Sequence, residues 1–364
     1  MRAGPGQVLA GRYRLTDRPG PLCAVAVDEV TGEPVLLRAL ELPSLLTSGY
    51  EPEDEVPAQA DRLVRRVAAV GSAAPAWHPR LLRGVGAFVE GELLWTVEER
   101  PAGVSLAELA AAGPVPPYRA AELAADLAGA LRALHEAGLS HGNLTAESVL
   151  VCEDGAAMLG GLLSGAAEEA LAEDLGGPGG RRRYDVRATL VGPVAERWPL
   201  DGGPAGDCWA LGVLLQRLLT GRSPFPGGSV PELVTAVRDG RREPSAVCGP
   251  LAPLVERLLQ PDPVQRPTAE AIRRELAELL AGAPEPADEE RAARELVVRP
   301  EGPLVLFRPR RRGRGAAGPP TDGPARTGGG RPPLIPPALL GPLLVGGIFL
   351  LLALGVAAVV LFAG

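Results

Sequence analysis

The chain has 364 residues, 46% hydrophobic and 22% charged, with a net charge of −7 at pH 7. Such a composition supports a packed core and excludes wholesale disorder, and the acidic balance excludes a surface that binds polyanions throughout. Aromatic residues make up 4%, too few for a protein that holds single-stranded nucleic acid by stacking.

Along the chain, the first thirty residues carry Arg2, Arg12, Arg14 and Arg18 and no apolar run long enough for a signal peptide. Three β-prone pieces follow at Arg12–Leu15, Leu22–Asp28 and Pro34–Leu40, the last two joined by a turn at Thr31-Gly32-Glu33. Asp61–Val70 has helical spacing, and Gly84–Phe88 with Leu93–Glu98 reads as a hairpin. Beyond Pro101 the pattern turns helical: Ala120–Ala137 ends at Gly138, and Pro204–Leu219 and Thr268–Leu280 behave similarly. Asp154-Gly155 marks a strand turn, and the acids Glu168, Glu169, Glu173 and Asp174 fall in a Gly-rich stretch that reads as a solvated loop. A strand-rich lobe at 8–100 ahead of a helical lobe at 101–281 is an α+β arrangement.

From 282 to 338 proline, glycine and charge clusters predict a flexible linker, interrupted by two short β-prone runs within Leu296–Phe307. Leu339–Phe362 then runs for 24 apolar or small residues, where about 20 span a bilayer core. Seven arginines between Arg308 and Arg331 face a single acid, Asp322. The positive-inside rule puts that side in the cytoplasm, and the run would also attract anionic lipid headgroups. The expectation is a single-pass cell-membrane protein with a cytoplasmic N-terminal domain and no nucleic-acid partner. Only Ala363 and Gly364 follow the apolar run, so any functional part is expected on the cytoplasmic side.

All 37 basic residues are arginine, so a Schiff base, a lysine nucleophile or a P-loop lysine is excluded. Cys23, Cys152, Cys208 and Cys248 are far apart, with no CxxC pair, and there are three histidines. That pattern gives neither a disulfide framework nor a metal site and fits a reducing compartment.

The string HGNLTAESVLV at 141–151 resembles the catalytic loop of eukaryotic-type serine/threonine protein kinases, also found in bacteria. GRYRL at 11–15 and DEVTGEPVLLRAL at 28–40 are similar to that family's opening strands, and Trp77-His78-Pro79 to its His-Pro before the fourth strand. Trp95-Thr96-Val97-Glu98-Glu99 looks like the hinge between lobes, with Glu98 and Glu99 as its acids. Asp207-Cys208-Trp209-Ala210-Leu211-Gly212, Leu218–Phe225 and Gln260–Pro267 resemble the family's central helix start and closing signature. The resemblance covers about residues 8–281 and implies a bilobal kinase-like fold.

It also implies a degenerate member, a pseudokinase. Phosphoryl transfer needs positioned phosphates, a metal held by carboxylate and amide, and a base at the acceptor hydroxyl. The phosphate-gripping lysine falls on Arg38, and the glutamate that holds it falls near Arg66, where two arginines would repel. The catalytic aspartate falls on Asn143, the loop lysine on Thr145, the metal asparagine on Ser148 and the metal aspartate on Gly161. The nucleotide loop keeps only Gly20, between two prolines that have no N–H to offer.

Positions that brace the large lobe are kept: His141, Asp207, Glu196 and Arg266, the last two implied to form an ion pair. No cofactor or metal is therefore expected; ATP binding would be weak, without magnesium. The implied role is a membrane-anchored scaffold or regulator that binds a protein partner of unknown identity. The alternatives are a weakly active serine/threonine kinase and a magnesium-independent nucleotide sensor.

Overall fold

Buried and half-exposed positions alternate along Cys23–Asp28, the period of a strand with one face on a core. The computed structural model describes residues 4–16, 23–42, 55–75, 78–177, 179–198, 202–225 and 228–283. Gly20, Trp77, nearly all of the expected linker at 282–338 and the expected membrane segment at 339–362 lie outside these residues. Among the described residues no helix is long and apolar enough to cross a membrane.

The small lobe holds β1 (Val8–Leu9), β2 (Tyr13–Leu15), β3 (Cys23–Asp28) and β4 (Pro34–Glu41), then α1 (Glu55–Ala73), β5 (Gly84–Glu90) and β6 (Leu93–Glu99). Its strands form one antiparallel sheet in the order β1-β2-β3-β4-β6-β5. Helix α1 begins six residues earlier than the spacing predicted. One face of the sheet buries Tyr13, Ala24, Ala26, Leu37, Trp95 and Val97, with Phe88 stacked between Tyr13 and Trp95 at 5.7 and 6.5 Å. The β4–β6 register sets Leu36 opposite Glu98 and Arg38 opposite Thr96, so these four side chains share the opposite face, toward the large lobe.

The large lobe opens with β7 (Gly103–Ser105), whose Ser105 closes a capping box with Glu108 at the start of α2 (Leu106–Ala111). Helix α3 (Pro117–Glu136) follows, then the strands β8 (Val149–Cys152) and β9 (Ala157–Leu159), which turn at Gly155 (φ 84°) and pair with each other, β8 also pairing with β7. Two helices come next, α4 (Leu162–Gly176) and α5 (Arg181–Val191), followed by α6 (Gly203–Thr220), α7 (Val230–Arg238), α8 (Ala252–Leu258) and α9 (Ala269–Ala281). Leu123, Leu127, Leu131 and Leu134 of α3 meet Leu211, Leu214, Leu215 and Leu218 of α6 in the main core. Thr268 caps α9 by accepting from the Ala271 N–H.

The largest departure from the sequence reading lies at 162–191. The acidic stretch expected as a solvated loop is helical, because Leu163, Ala167, Ala170 and Leu171 recur at i, i+4, i+7 and i+8 and are buried together. They pack against Leu63 and Val67 of α1 and Leu94 of β6.

Asp28 ends β3 fully buried, where Arg12 binds it through two hydrogen bonds of 2.8 and 2.7 Å. Arg12 holds the Asp28 carboxyl down to about 2, so its contribution to stability is present at neutral pH and is lost as pH falls from about 4 toward 2. Asp28→Asn is expected to destabilise the protein by about 1–3 kcal/mol at pH 7, a gap that urea unfolding at pH 3 should find narrowed. A gap that stays constant with pH would show that the ionised carboxylate is not what holds the hairpin.

Candidate functional site

The residues singled out by sequence converge where the sheet meets the loop at 141–148. That loop is pinned from below by Asp207, a buried carboxylate in the second turn of α6. Its oxygens accept the backbone N–H groups of His141 and Gly142 at 2.8 Å each, and His135 Nε2 donates to it at 2.9 Å. Burial pushes the His141 imidazole down to about 4, so it is neutral. Its Nε2–H donates to the Gly160 carbonyl at 3.0 Å while Nδ1 accepts from the Asn143 N–H.

The positions that face the cleft are bound to one another. Asn143 Nδ2 donates to the Gly161 carbonyl at 3.2 Å. Ser148 Oγ bridges the N–H and carbonyl of Thr145, closing the loop on itself. Gly161 has φ 86°, and a Cβ there would stand 2.9 Å from Asn143 Nδ2, so an aspartate at 161 would be strained and would push the Asn143 amide aside. The Gly161 N–H donates to Glu98 Oε1 at 2.6 Å.

Glu98 therefore does not sit in an open connector. It is a residue of β6, 1% exposed, with its second oxygen 3.6 Å from Arg38 Nε. Burial pushes the Glu98 carboxyl above the ordinary range, and the Arg38 charge opposes that shift. Arg38 also donates to the Glu147 carbonyl at 3.0 Å. Glu99 points the other way, accepting from the Arg83 N–H.

Arg66 is not in this group, and the expected repulsion between Arg38 and Arg66 does not arise. Helix α4 supplies Glu173 and Asp174 to Arg66, the latter at 2.7 Å, while Glu98 answers Arg38. The same helix fills the cleft. Ser164 in its first turn shares a 2.9 Å hydrogen bond with Thr96 of β6, and Leu163 lies so close to Gly84 that a Cβ there would be 2.7 Å from it. What remains is a cavity of about 130 Å³ lined by Arg38, Ala39, Leu40, Thr96, Asn143, Ser164 and Glu168, whereas small-molecule sites run from roughly 300 to 1,000 Å³.

A magnesium nucleotide, which the kinase resemblance implies, does not fit these residues. Gly161 and Ser148 offer the metal no carboxylate or amide, and the groups that would meet phosphates already serve each other. Among the described residues no cluster of three His, Cys, Asp or Glu side chains suits a metal ion.

The lower braces also differ in detail from the sequence reading. Glu196, buried, pairs with Arg217 of α6 at 2.8 Å instead of with Arg266. Arg266 donates to the carbonyls of Gln260, Ala205 and Pro261 and lies 4.9 Å over the Trp209 ring. Arg217 reaches Glu196 because it extends from α6 toward the short turn Ala195–Arg197, while the closing loop wraps its own carbonyls around Arg266. Glu168 and Glu169, read only as surface acids, prove to be the partners of Arg197 and of Arg183 and Arg187 respectively.

A family described as "Protein kinase domain" matches residues 53–276. The chain is similar to the serine/threonine-protein kinase PkaA of Streptomyces coelicolor, 32% identical over 286 residues, which cover 77% of this chain and 49% of that protein. The serine/threonine-protein kinase AfsK of the same organism is 30% identical over 226 residues, 60% of this chain and 26% of that one. The CBL-interacting serine/threonine-protein kinase 7 of Arabidopsis thaliana is 25% identical over 274 residues, 74% and 60% of the two chains. The chain thus spans between about a quarter and three fifths of the length of these relatives.

The Arg38–Glu98 pair yields a test. Arg38→Met leaves a buried carboxylate without its counter-charge and is expected to cost about 3–5 kcal/mol at pH 7; Glu98→Gln, which keeps an acceptor for Gly161, should cost about 1–2 kcal/mol. A raised carboxyl pKa makes the ionised form the unfavourable one, so the cost of Arg38→Met should shrink as pH falls and Glu98 takes up a proton. Urea unfolding at pH 7 and pH 5 reads both effects, and the reverse order of the two variants would show that Arg38 does not hold Glu98.

Proposed function

The chain belongs to the protein kinase domain family, and from that premise we propose that it uses the kinase fold without phosphoryl transfer, as a pseudokinase that binds protein partners at the cytoplasmic face of the cell membrane. The observation that carries this reading is helix α4. It begins at Leu162, directly after the Gly161 position, and occupies the space between sheet and loop where a nucleotide would lie. Asn143, at the position of the family's base, has no basic lone pair and spends its amide on Gly161.

The same reading explains which residues stay polar and buried. Asp207, His141 and Arg266 hold backbone in place and Glu196 ties the turn at 195–197 to Arg217, and a surface that serves as a dock needs a rigid frame and not a reactive centre. The membrane part of the proposal rests on the apolar run 339–362 and the arginines from Arg308 to Arg331. Those arginines adjoin the apolar run in sequence, so an inserted run would bring them to anionic headgroups, whose attraction is felt over roughly 10 Å at 0.1 M salt.

Two outcomes test the proposal. Thermal unfolding with ATP, with and without magnesium, should show no magnesium-dependent stabilisation, and incubation with γ-labelled ATP should leave the protein unlabelled; labelling that Asn143→Ala abolishes would overturn it. Deleting 339–362 should move the protein from the membrane to the soluble fraction. A truncated chain that still pellets after a high-salt wash would exclude the single-span anchor.

A further inference from the structure

The small-lobe sheet ends on two edge strands of unlike length. At one edge β1 has 2 residues, too short to template a foreign strand. At the other, β5 has 7, Gly84–Glu90, half-buried throughout. Among the described residues its backbone bonds only to β6, so the N–H and C=O of every second residue point outward without a partner there. A proline, a lysine or an inward charge usually guards such an edge, and β5 has none of these. Its one irregularity is the shift between Gly84 and Gly86; from Gly86 to Glu90 the register is unbroken.

Both faces of this edge are apolar. Phe88 packs with Tyr13 and Trp95 on one, and Ala87 and Val89 with Leu94 on the other. A strand laid beside β5 therefore needs apolar side chains at consecutive positions, where a half-solvated strand would alternate. Glu90, at the far end, accepts the Ala10 N–H at 2.6 Å and has no basic partner among the described residues.

We propose that the outer edge of β5 is covered by this chain's own tail, with Leu296-Val297-Val298-Arg299 added as a strand parallel to Ala87-Phe88-Val89-Glu90. Three consecutive apolar residues, two of them β-branched, meet the demand of both faces. In that register Arg299 lies beside Glu90, whereas the antiparallel one would set Glu295 there, acid against acid. Pro300 has no N–H to give and ends the pairing. The direction of approach is the same. Helix α9 belongs to the large lobe, and the Gly84 end of β5 lies at the lobe junction, where a Cβ on Gly84 would be 2.7 Å from Leu163 of α4. A chain arriving from α9 meets Gly84 first and runs toward Glu90. Leu296 comes 13 residues after Ala283, the last described residue, a reach of about 43 Å, against a radius of gyration of about 19 Å for a domain of roughly 280 residues. This docking does not rest on the pseudokinase reading, since no residue of the cleft takes part.

Peptide-resolved hydrogen–deuterium exchange on the full chain in detergent tests it, with the central strand β8 as internal standard. Val297→Pro, which breaks an added strand, should speed exchange across 86–90 by about tenfold or more and leave β8 unchanged. Arg299→Glu puts a like charge beside Glu90 and should speed it severalfold; it supplies the reading if Val297→Pro also moves β8. Val305→Pro, in the second apolar run of the tail, should change nothing at 86–90. Equal exchange at 86–90 in the wild type and both tail variants at 297 and 299 would overturn the docking. So would protection that falls on dilution, which assigns the edge to a second copy of the chain, or protection lost in Val305→Pro and kept in Val297→Pro.

Discussion

Helix α4 packs Leu163, Ala167, Ala170 and Leu171 against both α1 and the sheet, and this contact sets the terms for everything around it. With that face buried, the opposite face has to present Glu168, Glu169, Glu173 and Asp174 to neighbours. Arginines come to them from α1, from α5 and from the turn at 195–197. The lobes are therefore joined by an apolar seam with charged pairs along its margin. The seam supplies most of the free energy, since exposed ion pairs contribute little each.

Filling the cleft from within also decides the fate of the charged groups left there. Arg38 and Glu98 would each be costly to bury alone, and together they leave one desolvated pair whose closest atoms are 3.6 Å apart. Gly161 adopts a left-handed conformation that lets its N–H reach Glu98 and its carbonyl reach Asn143. Arg38, Asn143, Ser148 and Gly161 thus each have a partner from this chain. A side chain at 161 would displace the Asn143 amide from Gly161.

A lysine-free chain fits this arrangement. Arginine keeps its charge when half-buried and divides its donors among several acceptors, as Arg266 does over three carbonyls and Arg66 over two acids. A lysine at either place would present one compact charge and would lose much of that geometry.

By itself the sequence determined the two lobes and most of their elements, because strand alternation in Cys23–Asp28 and helical spacing in Ala120–Ala137 are local patterns that tertiary packing reinforces. It also determined that two positions matched to carboxylates in the kinase resemblance carry no charge, since an asparagine at 143 and a glycine at 161 cannot be ionised in any fold. The stripe at 163, 167, 170 and 171 was there to be read as well, but the glycines of this acidic stretch made a solvated loop the expected form. Only the tertiary structure decided which charges meet. Many arginines follow Glu196 in the chain and the sequence does not say which one meets it; α6 brings Arg217 to the turn at 195–197, while Arg266 is held by the carbonyls of Gln260, Ala205 and Pro261. Likewise Glu98 reads as a hinge acid in sequence, and becomes a buried partner of Arg38 because the β4–β6 register points both side chains to the same face.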